Sequence, residues 1–109
     1  MLLPLGTTQG RSTWTVTAPD GRTFAVFLLP GGTLRVTDAQ CPHRRGPLAE
    51  GRLRGPDRFA SADTITCPWH GYRFSLETGA CLTTPRYTLA VHPVVDVAGE
   101  ARADVGEPG

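Results

Sequence analysis

Two pairs of metal-ligating residues stand out in this chain, because each pair joins one cysteine to one histidine. The first pair is Cys41-Pro-His43 and the second is Cys67-Pro-Trp-His70. Side chains two or three residues apart lie within reach of a single metal centre, so each short loop can direct a thiolate and an imidazole to the same place. Together the pairs supply two sulfur and two nitrogen ligands, which complete a four-ligand metal site.

Three kinds of site could use these ligands. A 2Fe-2S cluster in which histidines replace the cysteines on one iron takes two thiolates and two imidazoles. A zinc finger takes the same set, but it places like ligands together as C-x2-4-C and H-x3-5-H, whereas each pair here is mixed. A Cys41–Cys67 disulfide needs an oxidising compartment, to which nothing in the chain points. The mixed pairs therefore favour the cluster over zinc, and the lack of any sign of an oxidising compartment favours it over the disulfide.

The segments around both pairs resemble the two halves of the Rieske signature. They read Cys-Pro-His-Arg-Arg-Gly-Pro-Leu at 41–48 and Cys-Pro-Trp-His-Gly-Tyr-Arg-Phe at 67–74, in the family's order. The resemblance implies one 2Fe-2S cluster whose irons are divided between thiolate and imidazole ligands, namely Cys41 with Cys67 and His43 with His70. Neutral imidazoles remove two negative charges relative to a four-cysteine cluster, which raises the reduction potential.

The two loops carry glycines that fit more than one role. Gly46 and Gly71 suit ordinary turns, and they also suit places where backbone amides approach cluster sulfur. Members of the family often carry glycine two residues after the first ligand histidine, but Arg45 occupies that place here and Gly46 follows it. The turn of the first loop is therefore left open by the sequence.

Further candidates for the surroundings of the cluster are aromatic residues and one proline. Trp69 lies within the second pair and could shield the cluster from water, or it could belong to the core. Pro85 matches the proline loop that covers the cluster in related proteins, or it is an ordinary loop proline. Tyr72 and Phe74 stand where high-potential members of the family carry Ser and Tyr donors to sulfur, so we expect a low potential.

The order of short strands predicts an all-β fold. Alternating or apolar runs separated by Gly and Pro turns occupy 14–18, 24–29, 34–37, 64–66, 72–75, 89–91 and 94–97, with a break or bend at Pro93. This pattern is typical of an antiparallel β-sandwich or barrel. By resemblance we expect a single Rieske domain over 1–97, with a cluster-binding subdomain at about 40–75. The Gly- and Glu-rich segment 98–109 is expected to be a flexible tail.

Composition predicts a small carrier rather than a binder of nucleic acid or membrane. The chain has 109 residues and a formal net charge of +1, without the basic excess that nucleic acid binding requires. The N-terminal apolar stretch is too short for an export signal or a membrane span, so we expect a cytoplasmic protein. The third cysteine, Cys81, has no place in a four-ligand site and should be a partly buried thiol. His92 is expected to be a surface or structural residue.

Rieske proteins fall into several classes, and the sequence resembles some of them more than others. The type found in cytochrome bc complexes carries one extra cysteine in each loop, where Gly46 and Trp69 stand here, and an oxygenase α subunit needs a catalytic domain for which this chain is too short. What remains is a soluble Rieske-type ferredoxin that passes single electrons from a reductase to an oxygenase or similar enzyme. The alternatives are the small subunit of an assimilatory NAD(P)H nitrite reductase and a structural zinc module. Arginines in 41–74 either form a solvated face or steer an acidic redox partner.

Overall fold

The fold is built almost wholly from short antiparallel strands, as the sequence predicts. The computed structural model describes residues 1–6, 10–43, 45–58, 60, 62–69 and 71–106. Within these residues one turn of 3-10 helix lies at Leu48–Glu50. The strands, numbered in chain order, are β1 Leu2–Pro4, β2 Thr13–Thr17, β3 Thr23–Leu28, β4 Leu34–Asp38, β5 Arg52–Arg54, β6 Thr64–Thr66, β7 Arg73–Ser75, β8 Val91–His92, β9 Val94–Val97 and β10 Glu100–Asp104.

The strands form three sheets among the described residues. One is four-stranded in the order β2-β3-β4-β8, a second is three-stranded in the order β1-β10-β9, and a third has the order β5-β6-β7. All of the registered pairs are antiparallel. The third sheet lies within the expected cluster-binding subdomain at about 40–75. The ligand loops therefore have a sheet of their own beside the other two sheets, which we call the base.

Strand β3 separates two hydrophobic cores. Because side chains alternate along a strand, Phe24 and Val26 face one way while Ala25 and Phe27 face the other, and all four are buried. The first pair belongs to the base core, with Trp14 and residues of β1 and β10. The second pair belongs to the cluster-side core, which also contains Cys41 and Cys67 with Leu48, Ile65, Phe74, Leu76 and Leu89. One strand thus supports the sandwich and the ligand loops at once.

Pro93 divides the closing segment between two sheets. Before it, β8 pairs with β4 in the register Val36↔His92, and after it β9 pairs with β10 in the register Val94↔Ala103. Proline has no N–H to donate to a ladder, which makes it a natural point for the chain to leave one sheet and enter another. The break expected at this proline is confirmed.

The expectation of a tail from residue 98 onward is wrong for the residues described there. β10 lies between β1 and β9, and Ala103 is fully buried in the base core. The sequence gives little sign of this strand, because its inward positions are alanines, which give a weak apolar signal, and its other positions are charged residues. Ala98 and Gly99 both adopt positive φ, 54° and 83°, which suits a tight hairpin turn between β9 and β10. Residues 107–109 lie outside the described residues.

An arginine fixes the end of this segment to the base. The guanidinium of Arg22 donates to the carbonyl oxygens of Val105 and Gly106, each at 3.0 Å, and pairs with Asp20 at 2.9 Å. The backbone N–H of Arg22 also donates to Asp20, and this bond is the main cause that lowers the pKa of that carboxyl below its usual value. The C-terminal strand is therefore tied to the turn between β2 and β3.

His92 has the structural role expected of it, and Trp14 has a structural role as well. Trp14 is buried, and its Nε1 donates to the Leu5 carbonyl at 2.9 Å. His92 packs edge-on against Phe24 at 5.1 Å between ring centroids, and its Nε2 lies 2.9 Å from Oδ1 of Asp38. Over the described part of the chain, no helix has the length and apolar character needed to cross a bilayer.

Candidate metal centre

The first ligand loop leaves β4 and closes on itself through backbone hydrogen bonds. The amide of Cys41 donates to the carbonyl of Gly46 at 2.8 Å, and the amide of Arg45 donates back to the carbonyl of Cys41 at 2.7 Å. Arg45 adopts φ of 60°, a left-handed conformation that side chains other than glycine rarely adopt. The turn that the sequence left open is therefore made at Arg45, with an arginine in a position that favours glycine.

The second ligand loop connects β6 to β7 and closes in the same way. The amide of Cys67 donates to the carbonyl of Tyr72 at 2.7 Å, so in both loops the cysteine amide binds the carbonyl five residues later. Gly71 adopts φ of 72° with open space around it, which assigns it the turn role. The amide of Trp69 approaches Sγ of Cys67 at 3.4 Å, a geometry in which the backbone donates to the sulfur.

The two loops bring three of the four candidate ligands together. The Sγ atoms of Cys41 and Cys67 and a ring nitrogen of His43 all lie within 4.8 Å of one another, and Nδ1 of His43 is 2.7 Å from Sγ of Cys41. Both cysteines are 1% exposed, whereas His43 is partly exposed. The fourth candidate, His70, lies outside the described residues. Cys81 is not a member of this group.

Gly46 of the first loop lies against the second loop. A Cβ built on it would stand 2.6 Å from Sγ of Cys67 and 3.3 Å from Cγ of Trp69. Its φ is not in the left-handed region, so close approach rather than turn geometry accounts for glycine here. Trp69 itself is 49% exposed. It lies outside the core, with the base of its side chain against Gly46 and much of its surface in solvent.

The rings of two tyrosines lie beside the ring of His43. The ring of Tyr72 lies 4.1 Å from that of His43 between centroids, tilted by 57°, and the ring of Tyr87 lies at 6.0 Å. The two tyrosine rings are 5.7 Å apart in an edge-on arrangement. Tyr87 was not singled out in the sequence, because no motif spacing distinguishes an aromatic residue in the loop that follows Cys81. Its only signal is its position two residues after Pro85.

The remaining candidates divide into buried and exposed residues. Phe74 is fully buried in the cluster-side core, where its side chain has no hydrogen-bond donor to offer. Cys81 is partly buried against the same core, as expected, and pairs with Phe74 in an isolated β-bridge. Pro85 is exposed, in the segment that places Tyr87 beside His43.

The arginines near the ligand loops have different surroundings. Arg73 is mostly buried and donates to Asp57 at 2.8 Å and to Thr64 at 2.7 Å, so its charge has a structural role. Arg52 and Arg54 are exposed on the edge strand β5. Arg44 lies outside the described residues.

This arrangement fits a 2Fe-2S cluster with mixed ligands. Two buried thiols and an imidazole nitrogen converge from separate loops, and thiolate with imidazole is the donor set of such a cluster. Gly46, which lies between the two loops, keeps a side chain away from the sulfur of Cys67. The same donors could bind zinc, so the choice between the two depends on the family.

The comparison with protein families makes that choice. The family described as Rieske [2Fe-2S] domain matches residues 7–93. Among relatives, the ferredoxin component of the p-cumate 2,3-dioxygenase system of Pseudomonas putida is 32% identical over 93 residues, covering 84% of this chain and 72% of that protein.

Other relatives are much longer. The chain is 37% identical over 77 residues to cholesterol 7-desaturase nvd 2 of Ciona intestinalis, a match that covers 71% of this chain and 16% of that protein. The chain therefore spans only a small part of the length of the first curated relatives that it matches.

Solved structures share the fold. A chain from the complex of reduced oxygenase and oxidised ferredoxin in carbazole 1,9a-dioxygenase matches with a TM-score of 0.75 and 25% identity, covering 93% of this chain and 99% of that one. A protein described as an NADH-dependent nitrite reductase small subunit from Mycobacterium tuberculosis matches with a TM-score of 0.74 and 23% identity, covering 88% and 85%. The second likeness concerns the fold alone.

Proposed function

We propose that this chain, which belongs to the Rieske [2Fe-2S] domain family, is a ferredoxin-like carrier of single electrons. The family's cofactor is a 2Fe-2S cluster, and when bound it accepts and releases one electron at a time. The observation that carries the proposal is the convergence of Cys41, His43 and Cys67 from two loops onto one point. Together with His70 these residues would hold the cluster.

The protein's own residues set the environment of this centre. The cluster-side core buries both thiols and so excludes water from the sulfur side, where a lower dielectric strengthens each polar contact. The amide of Trp69 donates to Sγ of Cys67, which favours the more negative, reduced state. The rings of Tyr72 and Tyr87 pack beside His43 and restrict its orientation. These contacts hold the ligands in place while an electron enters and leaves.

We assign catalysis to a partner protein and only electron transfer to this chain. Redox partners are supported by the relatives: one is named as the ferredoxin component of a dioxygenase system, and one solved structure pairs a ferredoxin with an oxygenase. We therefore propose a reductase as electron donor and an oxygenase as acceptor. The nitrite reductase subunit shares the fold, so the fold does not separate the two classes of acceptor.

We further propose a cytoplasmic location. None of the three cysteines, all of which are described, forms a disulfide. Of the three, Cys81 is not a candidate ligand, and a cysteine of this kind without a disulfide suits a reducing compartment.

Metal analysis tests the cluster and its ligands. Purified protein should contain about two irons and two acid-labile sulfides per chain, with a visible absorption that is bleached on reduction. Replacing any one of Cys41, His43, Cys67 or His70 by alanine should remove the cluster. One zinc without sulfide would overturn the proposal. Reduction by a flavoprotein reductase followed by reoxidation through an oxygenase, but not through a nitrite reductase large subunit, would support the oxygenase class.

A further inference from the structure

We propose that a cationic groove beside the second ligand loop is a docking surface for an acidic face of the redox protein that exchanges electrons with this chain. This inference rests on the proposed carrier function and specifies the chemistry of the partner. The groove has a volume of about 760 Å³. Its lining runs from Arg52 and Arg54 on one side to Cys67, Pro68 and Gly71 of the ligand loop on the other.

The position of β5 explains why the arginines face outward. β5 is the edge strand of the third sheet, and its side chains alternate between core and solvent. Leu53, in the middle, packs against the cluster-side core, while Arg52 and Arg54 on either side are exposed. Their partners across the sheet are Thr66 and Thr64, which carry no charge. The strand therefore presents two guanidinium groups on the same face.

These two arginines keep their charge available to a partner. Among the described residues, neither Arg52 nor Arg54 has a carboxylate within ion-pair distance. On the base, by contrast, Arg22 pairs with Asp20 and Arg102 with Glu100. A third arginine of the groove, Arg73, is paired with Asp57, and one acidic residue, Glu50, also lines it.

The groove is suited to a protein surface rather than to a small anion or to nucleic acid. Its exposed arginines lie on a sheet edge, so they can attract an acidic partner over a broad area. They do not form the enclosed set of hydrogen-bond donors that holds a small anion. The chain's formal net charge of +1 lacks the excess that nucleic acid binding needs. Half-exposed Trp69, in the loop that forms one wall, adds the kind of aromatic surface that protein interfaces use. A partner seated here would lie against the ligand loop itself.

The test compares two variants of the holoprotein with equal net charge. Arg52→Gln/Arg54→Gln and Arg11→Glu each lower the formal net charge from +1 to −1. Arg11 is exposed, lies over Trp14 of the base core and does not line the groove. The probe is a gold electrode coated with a carboxylate-terminated monolayer, which presents an acidic surface. We expect the interfacial electron-transfer rate at low ionic strength to fall about tenfold in the double variant and less than about threefold in Arg11→Glu.

Further measurements separate the possible failures. Arg52→Lys/Arg54→Lys, which keeps the charge, should retain most of the rate, and high salt should bring all of the variants together. Visible spectra and midpoint potentials should be unchanged, because Arg52 and Arg54 lie on β5 and not in either ligand loop. Equal losses in the double variant and in Arg11→Glu would refute the docking surface while leaving the carrier function intact. The absence of a reversible one-electron wave in the unmodified protein, on carboxylate and hydroxyl monolayers alike, would refute the carrier function itself.

Discussion

Replacing Gly46 by alanine tests the contact between the two ligand loops at this glycine. The added methyl would start 2.6 Å from Sγ of Cys67, whereas ordinary contact begins at about 3.5 Å, so the sulfur or the loop must move by about 0.9 Å. Metal ligands tolerate deviations of only about 0.2 Å in their bond lengths. Cγ of Trp69 would lie 3.3 Å from the same methyl, so this side chain also restricts movement of the first loop. Overpacking of this kind costs about 1–3 kcal/mol before any loss of the cluster.

The expected result is loss of the cluster from a chain that still folds. Gly46→Ala should retain less than about a tenth of the iron and sulfide of the unmodified protein, because the displacement falls on a candidate ligand atom. Gly71→Ala is the matched control in the second loop: its Cβ would meet nothing within 4 Å, but its φ of 72° makes the substitution strained. That strain should lower the free energy of unfolding by about 1–2 kcal/mol while iron content stays normal.

Iron and sulfide analysis, visible spectroscopy and urea unfolding of both variants distinguish the effects. Full cluster content in Gly46→Ala would refute the reasoning, because it would mean that the loops separate freely at this point. Cluster loss in Gly71→Ala but not in Gly46→Ala would place the critical contact in the turn of the second loop instead.

Three more predictions concern individual side chains. Cys81→Ser should keep the iron content and visible spectrum, since Cys81 lies outside the ligand group, and loss of the cluster would mean that the ligand assignment is wrong. Ala103→Asp should lower the free energy of unfolding by about 2–4 kcal/mol in urea titration, because it buries a carboxylate in the base core; an unchanged midpoint would restore the interpretation of this segment as a tail. Because Phe74 is buried without a donor for sulfur, the reduction potential at pH 7 should be about −150 mV rather than about +300 mV, and a positive midpoint in film voltammetry would contradict this.

The sequence predicted the chemistry of the site better than the local geometry of its loops. Cysteine and histidine in mixed pairs restrict the possible centres severely, so Cys41, His43 and Cys67 could be assigned to one centre by residue type and spacing alone. The turn of the first loop could not be predicted, because an arginine at positive φ breaks the usual preference for glycine. The place of Tyr87 beside His43 likewise depends on how a separate segment folds back over the loops.

Strand prediction succeeded where side chains were large and failed where they were small. The run around Phe24 is apolar on both faces, so it signals a buried strand from composition alone. β10 alternates charged residues with alanines and buries Ala103, so its apolar signal is weak. Its location between β1 and β9 depends on pairing with the first residues of the chain, a long-range contact that local pattern does not contain.

The double-faced burial of β3 limits how this protein can diverge in evolution. A strand with one solvent face can accumulate substitutions there without affecting its packing, but β3 has buried side chains in both directions from Phe24 to Phe27. A larger residue at Ala25 would push the backbone of β3 toward the base core. A smaller residue at Val26 would leave a void in the base core, behind the strand that supports the cluster-side core. Sequence change in the sandwich and in the iron-binding half must therefore be mutually compatible at this strand. Exchange of the ligand loops between relatives should succeed only when β3 is exchanged with them.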